Sequence, residues 1–573
     1  MNAKMCMLGP GLLLAGTLAA VEISPLAFRR GGWGLDTQSM SELGTAYLIA
    51  HGLGAPVADA TAGFTLSKSG KKACWVLTRN WHAGAPGRFH LSIDGKVLPR
   101  ELGTGCPVWS WVKAGEVVLS AGNHALSLKD ATGFDGRCAG VIVNDGRVPE
   151  GPVQMGVWDE PETVACDLVV VGGGPAGVAA ALVAARRGLH VALLNDREVL
   201  GGNSSEEIRV ESGGETGHPV VREIANDSRN CSAYAVVAGA RRLAAVKDER
   251  NIDLRLGHRA VAVQKEWGRI CAVTAIDLAR NRKVVFRAPL YADATGDGWI
   301  GYWAGAEYRM GREGRDRTGE PQAPETADSE MLGAGIMWDS EDAGHPVAFS
   351  APWAESEAKG MAKIEGRRFW ETGAHRDTTR ESESVRDQML AFIYGSFSLA
   401  KKDPRHANRR LRFCPYLLGK RESRRLLGDY VLNEKDVRNA TPFPDAVATG
   451  CGFVDQNVGK QTPPRRYWIP YRSLYSRNVQ NLFMAGRALS ATHVALGSAR
   501  AMNTLAQTGV AVGEAAALCK KHGILPREVW GAGFIRELQD AIGGEWPGRP
   551  AVEWKGRWRA DDKKEDPPSR SGM

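Results

Sequence analysis

The sequence predicts an α/β protein in which a Rossmann-type domain carries an inserted substrate domain and is preceded by an all-β sandwich. Three observations predict this arrangement. A glycine-rich turn lies between a short apolar strand and an alanine-rich helix, further glycine turns follow apolar strands downstream, and the N-terminal part contains short alternating strands. Strand–helix alternation is typical of a parallel sheet, whereas short strands separated by turns are typical of a sandwich.

The glycine-rich turn is the strongest of these signals. Leu168–Val171 predicts a strand, a helix follows to about Arg187, and Val191–Leu194 predicts a second strand. The turn reads Gly-x-Gly-x-x-Gly, which allows a tight turn, close approach of backbone to a pyrophosphate and close helix packing, while the helix N-terminus favours phosphate. We therefore predict nucleotide binding, rather than a glycine loop used only for packing, by Gly172, Gly174, Pro175, Ala176 and Gly177.

The end of the second strand is where an acidic residue usually binds the ribose of a dinucleotide. Asn195 stands at that position and Asp196 follows it. Because an asparagine side chain can hydrogen-bond a hydroxyl but brings no charge, either residue is a candidate for the ribose. Arg197 is close enough to suit a 2′-phosphate, but the downstream motifs favour FAD.

Three downstream segments complete the predicted site. In two-dinucleotide-fold flavoproteins a Gly-Gly turn approaches the pyrophosphate and ribityl chain, an A-T-G-D run adds a contact, and an A-G turn precedes a helix directed at the flavin. The sequence has all three in order, with the helix predicted over about Ser498–Lys521, and Ala260 falls where backbone usually meets adenine. The remaining predicted FAD ligands are Gly201, Gly202, Asn203, Ser204, Ala294, Thr295, Gly296, Asp297, Gly486, Arg487, Gly497 and Ser498.

The chain also resembles a known family. The segments LLNDREVLGGNSSEEIRV, ADATGDGWIGYWAGAEYRMGREGR and NLFMAGRALSATHVALGSARAMNTLAQTGVAVGEAA resemble the FAD-dependent oxidoreductases related to the flavoprotein component of heterodisulfide reductase, in the glutathione-reductase-like superfamily. The resemblance spans about Val164–His522 and points to a secreted subgroup with an N-terminal sandwich. It implies FAD as cofactor. The chain departs from the family at Asn195 and in lacking the iron–sulfur cysteines of some relatives.

Composition argues against several other functions. A net charge of +8 on 573 residues is too small to indicate nucleic acid binding. The ten cysteines form no C-x-x-C pair, which argues against zinc, an iron–sulfur cluster and a redox-active dithiol, so we expect no metal. Cys74, Cys106 and Cys138 fall in one predicted domain, where a disulfide or simple burial would both fit.

The N-terminal part is predicted to contain a signal peptide and a sandwich. Met1–Ala20 places one lysine before an apolar run that ends in small residues, which predicts cleavage and export to the periplasm or the medium. The alternative is a retained anchor, and we expect no membrane span in the mature chain. The resemblance to the secreted subgroup implies that the sandwich is a jelly roll, a kind of module that resembles carbohydrate-binding modules. Five tryptophans in it offer either a sugar platform or core packing, namely Trp33, Trp75, Trp81, Trp109 and Trp111.

The predicted domain boundaries follow these signals. A Pro-, Gly- and Glu-containing stretch over 148–163 predicts a linker, and the charged segment 546–573 predicts a loose tail. The complete division is a signal peptide over 1–20, the sandwich over 21–151, the first part of the FAD-binding domain over 164–301, the substrate domain over 302–467, the second part of the FAD-binding domain over 468–525, and a C-terminal extension over 526–573.

The catalytic candidates are few. Nucleophile signatures such as G-x-S-x-G are absent from the sequence, so the chemistry is assigned to the flavin. His493 precedes the predicted flavin helix and is a candidate to take a hydroxyl proton while the flavin takes hydride, or else to fix the turn. Arg209 and Arg421, with Arg424 and Arg425, are candidates to hold an anionic or polyhydroxylated substrate, or else to form ion pairs.

The sequence is compatible with three functions. The first is an exported FAD-dependent oxidoreductase that transfers hydride between flavin and a hydroxylated substrate of the carbohydrate-derived kind. The second is a fumarate-reductase-like reductase of a C=C or C=O bond. The third is a carbohydrate-binding surface protein with a degenerate flavin fold, which the intact glycine motifs oppose. The expected partners are a small-molecule or saccharide substrate and an electron acceptor. The sequence identifies neither that acceptor nor the oligomeric state.

Overall fold

A computed structural model describes residues 20–366, 371–451, 454 and 466–557. The predicted signal peptide lies outside the described residues, except for Ala20. The chain divides into two compact units. The first contains the residues up to Asp36 and Tyr47–Gln154, and the second contains Thr37–Ala46 and the chain from Met155 onward.

The first unit is built from antiparallel strands. The strands are β1 Val21–Ile23, β2 Gly34–Asp36, β3 Tyr47–His51, β4 Ala60–Leu66, β5 Gly70–Thr78, β6 Phe89–Ile93, β7 Lys96–Val97, β8 Ser110–Leu119, β9 Gly122–Asp130, β10 Phe134–Cys138 and β11 Val141–Asn144. Among the described residues they form sheets in the orders β1-β11-β5-β8, β4-β9-β6-β7 and β10-β3-β2. Alternate residues of β4 are buried, as expected for a strand with one face on a core.

The five tryptophans of this unit pack against protein. Trp33, Trp75 and Trp81 are buried, and the Trp81 indole N–H donates to the carbonyl of Phe134. Trp109 and Trp111 are half-buried, and the Trp109 ring lies 4.9 Å from that of Tyr47. Core packing therefore accounts for Trp33, Trp75 and Trp81 better than a sugar platform does, because stacking on a sugar needs an open ring face.

The second unit contains the remaining elements. Its helices are α1 Met40–Leu43, α2 Pro175–Arg186, α3 Pro219–Ile224, α4 Tyr234–Lys247, α5 Trp299–Trp303, α6 Arg315–Thr318, α7 Ser382–Lys401, α8 Glu434–Asn439, α9 His493–Ala499, α10 Met502–His522, α11 Pro526–Gly531 and α12 Ile535–Ile542. Its strands are β12 Val157–Ala165, β13 Leu168–Val171, β14 Val191–Leu194, β15 Ile252–Arg255, β16 His258–Glu266, β17 Arg269–Asp277, β18 Arg282–Arg287, β19 Leu290–Asp293, β20 Tyr308–Arg309, β21 Ala334–Gly335, β22 Asp339–Asp342, β23 Glu371–Thr372, β24 Arg409–Phe413, β25 Gly419–Lys420, β26 Arg425–Leu426, β27 Ala446–Gly450, β28 Tyr467–Pro470 and β29 Leu482–Met484.

A parallel sheet in the order β15-β14-β13-β19-β29 forms the centre of this unit. Strand β13 is buried on both faces: Leu168 and Val170 join a core with helices α2 and α10, whereas Val169 and Val171 join a core with the sheet β12-β18-β17-β16. Continuous burial explains why β13 is apolar throughout rather than alternating. The glycine turn between β13 and α2 therefore lies at the carboxyl end of a rigid central strand.

Two sequence expectations differ from the structure. Part of the predicted linker is strand β12, which pairs in parallel with β18 through Thr163 and Val285. The predicted loose tail is packed as far as it is described: Trp546 and Trp554 are buried, and the Trp554 indole donates to Glu514. The polar composition of these two segments gave no sign of strand β12 or of the packed C-terminal part. A few well-placed apolar residues are nevertheless enough to pack a segment against the rest of the protein.

Neither a membrane-crossing helix nor a metal centre is seen in the described part of the chain. No helix there has the length and apolarity needed to span a bilayer. No cluster of His, Cys, Asp and Glu side chains there is arranged to hold a metal ion.

The cysteines of the first unit should differ sharply in reactivity. Cys74 and Cys138 are buried and unpaired, and burial raises the pKa of each thiol to about 12, whereas Cys106 is exposed. Because the thiolate is the reactive form, iodoacetamide at about pH 8 should label Cys106 in the folded protein and label Cys74 and Cys138 only after unfolding. Peptide mass spectrometry measures this. Rapid labelling of Cys74 or Cys138 in the native protein would contradict the structure.

Candidate active site

A cavity of about 490 Å³ lies at the carboxyl end of the parallel sheet. Its size falls in the range of cofactor and ligand pockets. The turns after β13, β14, β19 and β29 all contribute to its wall, together with strands of the inserted region. The lining residues predicted from sequence are Gly172, Gly174, Pro175, Ala176, Asn195, Asp196, Arg197, Gly202, Asn203, Ala260, Ala294, Thr295, Gly296, Arg421, Gly486 and Arg487.

The glycine turn gives the cavity a narrow cradle. A Cβ atom added to Gly174 would meet no protein atom within 4 Å, and one added to Gly202 would lie 3.3 Å from the Cα of Gly174. Two bare backbones thus face each other across a gap that any side chain would fill. Pro175 begins helix α2 directly behind this gap. Backbone amides and a helix N-terminus suit a pyrophosphate, so these residues fit the predicted cofactor.

The predicted ribose end is arranged by Asn195 and Asp196. The Asn195 side-chain carbonyl accepts from the Gly173 amide at 3.0 Å, and its side-chain amide donates to the carbonyls of Arg197 and Val199. Asn195 therefore shapes the loop rather than offering its amide to a ligand. Asp196 receives the Arg259 guanidinium on Oδ2 at 2.7 Å, and no described residue donates to its Oδ1. We assign the ribose candidate to Asp196.

The charge of Asp196 is stabilised by its surroundings. Burial alone would raise the pKa of this carboxyl, but Arg259 and Arg197 outweigh burial and hold it below its usual value. Arg197 in turn donates to Glu207 at 2.6 Å. A 2′-phosphate would meet the Asp196 carboxylate here, whereas a ribose hydroxyl can donate to it.

Asp297 does not line the cavity, although it was expected to bind the cofactor. Its two oxygens lie 2.8 Å from Lys420 Nζ and 2.8 Å from Arg487 Nη2. Burial would raise the pKa of Asp297, but these two cations hold it well below its usual range. Lys420 and Arg487 themselves lie on the cavity wall. Asp297 therefore acts through them, as the anchor of two cavity cations.

The helix that meets the cavity begins later than predicted. Helix α9 ends at Ala499, Ala501 is extended, and α10 starts at Met502. Ala501, Met502 and Leu505 line the cavity, whereas the predicted Gly497 and Ser498 do not. Ser498 instead shares a 3.1 Å hydrogen bond with Tyr467. The sequence predicts a single helix here because alanine is a strong helix former and gives no local signal for a break.

Three other predicted ligands lie behind the wall. Gly177 faces the Gly172 carbonyl, 1.9 Å from where a Cβ would stand, so it serves close packing of α2 on the turn. Gly201 donates its amide to the Gly173 carbonyl, and the Ser204 hydroxyl donates to the Gly201 carbonyl. These residues hold the two halves of the glycine cradle together.

Of the five side chains named as catalytic candidates, Arg421 is on the cavity wall, whereas His493, Arg209, Arg424 and Arg425 are not. Arg421 lies on the wall and pairs with Glu371, which lines it as well. Arg209 does not line the cavity and stacks on the Phe413 ring at 4.1 Å. His493 does not line it either, because it opens α9 and its Nδ1 lies 2.8 Å from the buried Glu422 carboxylate. A structural role is favoured for His493.

Sequence reasoning missed several wall residues. Lys420 stands beside Arg421 in the arginine-rich segment, so its position was within reach of the prediction. No local sequence signal singles out the following wall residues, which come from several loops, from strand β23 and from helices α5 and α10: Val210, Glu211, Ser212, Gly213, Trp299, Trp303, Met337, Glu371, Arg500, Ala501, Met502 and Leu505.

Comparison with known proteins identifies the class of this fold and site. The sequence profile of the family described as FAD dependent oxidoreductase matches residues 167–542. The chain belongs to the FAD-dependent oxidoreductase family, and its cofactor is FAD. This overturns the alternative of a surface protein with a degenerate flavin fold.

Individual proteins and solved structures also match parts of the chain. Glycerol-3-phosphate dehydrogenase 2 of Mycobacterium tuberculosis (strain ATCC 25618 / H37Rv) is 45% identical over 65 residues, which is 11% of this chain and 11% of that protein. A geranylgeranyl bacteriochlorophyll reductase-like protein of Thermoplasma acidophilum is 13% identical, with a TM-score of 0.31 over 66% of this chain and 83% of its own. A family 35 carbohydrate binding module of Clostridium thermocellum is 15% identical, with a TM-score of 0.19 over 22% of this chain and 97% of its own.

Replacing Gly174 by valine should abolish FAD binding without unfolding the protein. The Cβ of the valine would meet no protein atom within 4 Å, and Gly174 has an ordinary extended backbone. The variant should be colourless, with a melting curve like that of the wild-type apoprotein. Gly217→Val is the matched control, because a Cβ there also meets nothing within 4 Å. A folded, fully flavinated Gly174→Val protein would falsify the cradle assignment.

Replacing Asp297 by asparagine should destabilise the protein by about 3–5 kcal/mol, because two largely buried cations lose their partner. The lowered folded pKa means that Asp297 contributes stability above its unfolded pKa and loses it as pH falls. The difference in urea midpoint between wild type and variant should therefore be constant above about pH 5 and shrink below about pH 4. Glu307→Gln, which breaks the exposed pair with Arg477, is the control. Equal effects of both substitutions would contradict this account.

Proposed function

We propose that the protein transfers hydride between FAD and a hydroxylated, anionic small molecule bound beside Lys420 and Arg421. The observation that carries this proposal is the Arg421–Glu371 ion pair on the cavity wall. An arginine offers several donors to hydroxyl or carboxylate oxygens, and a carboxylate accepts from hydroxyls. A polar pair of this kind suits a polyol or hydroxy acid better than an apolar substrate.

The wall around this pair is cationic. Lys420, Arg421 and Arg500 all line the cavity, at strand β25 and just before the start of α10. Lys420 is neutralised by Asp297 and Arg421 by Glu371, so the pairs are held in place before a ligand enters. Preorganised donors of this kind lower the cost of binding an anionic group.

A proton must be exchanged when a hydroxyl is oxidised or a carbonyl is reduced. Bound FAD supplies the hydride acceptor or donor. Glu371 is the carboxylate paired with Arg421 on the wall. We propose that Glu371, rather than His493, exchanges this proton with the substrate. Arg421 would then orient the substrate oxygen.

The local match to glycerol-3-phosphate dehydrogenase 2 supports this choice of substrate class, since the substrate in that name is both hydroxylated and anionic. Lys420, Arg421 and Arg500 on the wall also suit a dicarboxylate, which keeps the fumarate-reductase-like direction as the second candidate. The carbohydrate-derived kind of substrate is a narrower proposal, and the packed tryptophans of the first unit lend it no support.

Anaerobic mixing with a panel of compounds tests the proposal. Polyol phosphates and sugar acids should bleach the flavin, whereas neutral alkanols should not. Reoxidation of the reduced enzyme by unsaturated dicarboxylates would select the second candidate instead. Arg421→Met should weaken substrate binding roughly 10- to 100-fold, and Glu371→Gln should slow flavin reduction by about 10²–10⁴.

The matched controls are Arg410→Met and Glu341→Gln, which break an exposed ion pair of 2.7 Å in the same inserted region. Both controls should behave as wild type. If Arg421→Met and Glu371→Gln reduce as fast as these controls, the substrate is held elsewhere and the proposed pair is structural.

A further inference from the structure

The segment Thr37–Ala46 belongs to a different unit from the two strands on either side of it. It follows strand β2 and precedes strand β3, both of which belong to the first unit, yet the segment itself belongs to the second. Thr37, Ser39 and Thr45 are polar but nearly fully buried. Buried polar side chains need hydrogen-bond partners, and these partners show what the segment does.

The first partner lies at the ribose end of the cavity. The Thr37 hydroxyl donates to Asp196 Oδ2 at 3.3 Å, on the same oxygen that receives Arg259 at 2.7 Å. Two donors on one carboxylate oxygen fix the rotation of the carboxyl group. The other oxygen, Oδ1, receives no donor from the described residues, and Asp196 lines the cavity.

The second partner lies next to the cationic wall. The Gln38 side chain donates to the Tyr416 carbonyl at 3.4 Å and accepts from the Leu418 amide at 3.1 Å. This clamps the backbone directly before Gly419–Arg421, which lines the cavity. The Lys420 carbonyl there also receives the side-chain amide of Asn203, at 2.9 Å.

We propose that Thr37 and Gln38 are positioning residues of the FAD site, Thr37 for the adenosine ribose through Asp196 and Gln38 for the flavin side through Gly419–Arg421. The proposal rests on FAD as cofactor and on Asp196 as its ribose ligand. Neither residue touches the reacting atoms. Thr37 contacts the cavity residue Asp196, 159 positions away in the sequence. Gln38 contacts Tyr416 and Leu418, which come just before the cavity-lining residues Gly419–Arg421.

We expect loss of each contact to cause a different binding defect in the protein from which FAD has been removed. Thr37→Val removes the hydroxyl but keeps the shape, so affinity for both ADP and FAD should fall about 3- to 10-fold. Gln38→Leu should lower affinity for FAD by on the order of tenfold and leave ADP unchanged, because ADP lacks the flavin half. Calorimetry with ADP and flavin fluorescence with FAD measure these constants.

Two controls separate positioning from general damage. Ser39→Ala alters the same segment, but its contact is Ser382, which does not line the cavity, so both affinities should match wild type. Thr37→Ser keeps the hydroxyl and should restore most of the affinity. An ADP analogue without ribose hydroxyls should bind wild type and Thr37→Val equally, since it has nothing to donate to Asp196.

Each result decides one assignment. If Asp196→Ala, which removes the acceptor, discriminates the analogue from ADP no less than wild type does, the ribose assignment itself is overturned. If Asp196→Ala loses that discrimination while Thr37→Val keeps wild-type affinities, Asp196 binds the ribose and Thr37 has no positioning role. If Ser39→Ala and Gln38→Leu weaken FAD and ADP alike, the segment contributes stability and the proposal for Gln38 fails.

Discussion

Parallel pairing of β14, β13, β19 and β29 constrains everything else in the site. Because the strands run the same way, the turns that follow them meet at one edge of the sheet. The glycine cradle, Asp196, the Thr295–Gly296 turn and Gly486 are distant in sequence but are brought to one cavity by this single fact. A buried sheet between two apolar cores is rigid, so the turns can hold a long cofactor at several points.

Ion pairs dominate the electrostatics of the cavity wall. Several of its charged side chains are paired before a ligand arrives: Asp196 with Arg259, Lys420 and Arg487 with Asp297, and Arg421 with Glu371. Isolated charges at a partly buried wall would be costly and would shift towards their neutral forms. Pairing keeps the side chains ionised and oriented. When cofactor and substrate bind, they therefore displace water from the cavity without requiring these side chains to rearrange.

The sequence could predict the parts of the site that depend on backbone and could not predict those that depend on side-chain partners. Gly174 and Gly202 are recognisable because a bare backbone is needed at a fixed place along the chain, and both line the cavity. Asn195, Asp297 and His493 have the right location in sequence, but their roles are decided by Gly173, Lys420 and Glu422. Such contacts leave no local pattern in the sequence. For the same reason, the break between α9 and α10 could not be predicted from the sequence.

Segment Thr37–Ala46 shows the same limit on a larger scale. A domain boundary drawn from composition follows where strands and turns change character, and it placed this segment inside the sandwich. Hydrogen bonds to Asp196, Tyr416 and Leu418 instead tie it to the flavin unit. Four residues form helix α1 there, too few to be stable alone, so its conformation depends on those contacts. The oxidoreductase unit is therefore completed by residues that precede its first strand by more than a hundred positions, and its functional boundary does not coincide with any boundary visible in the sequence.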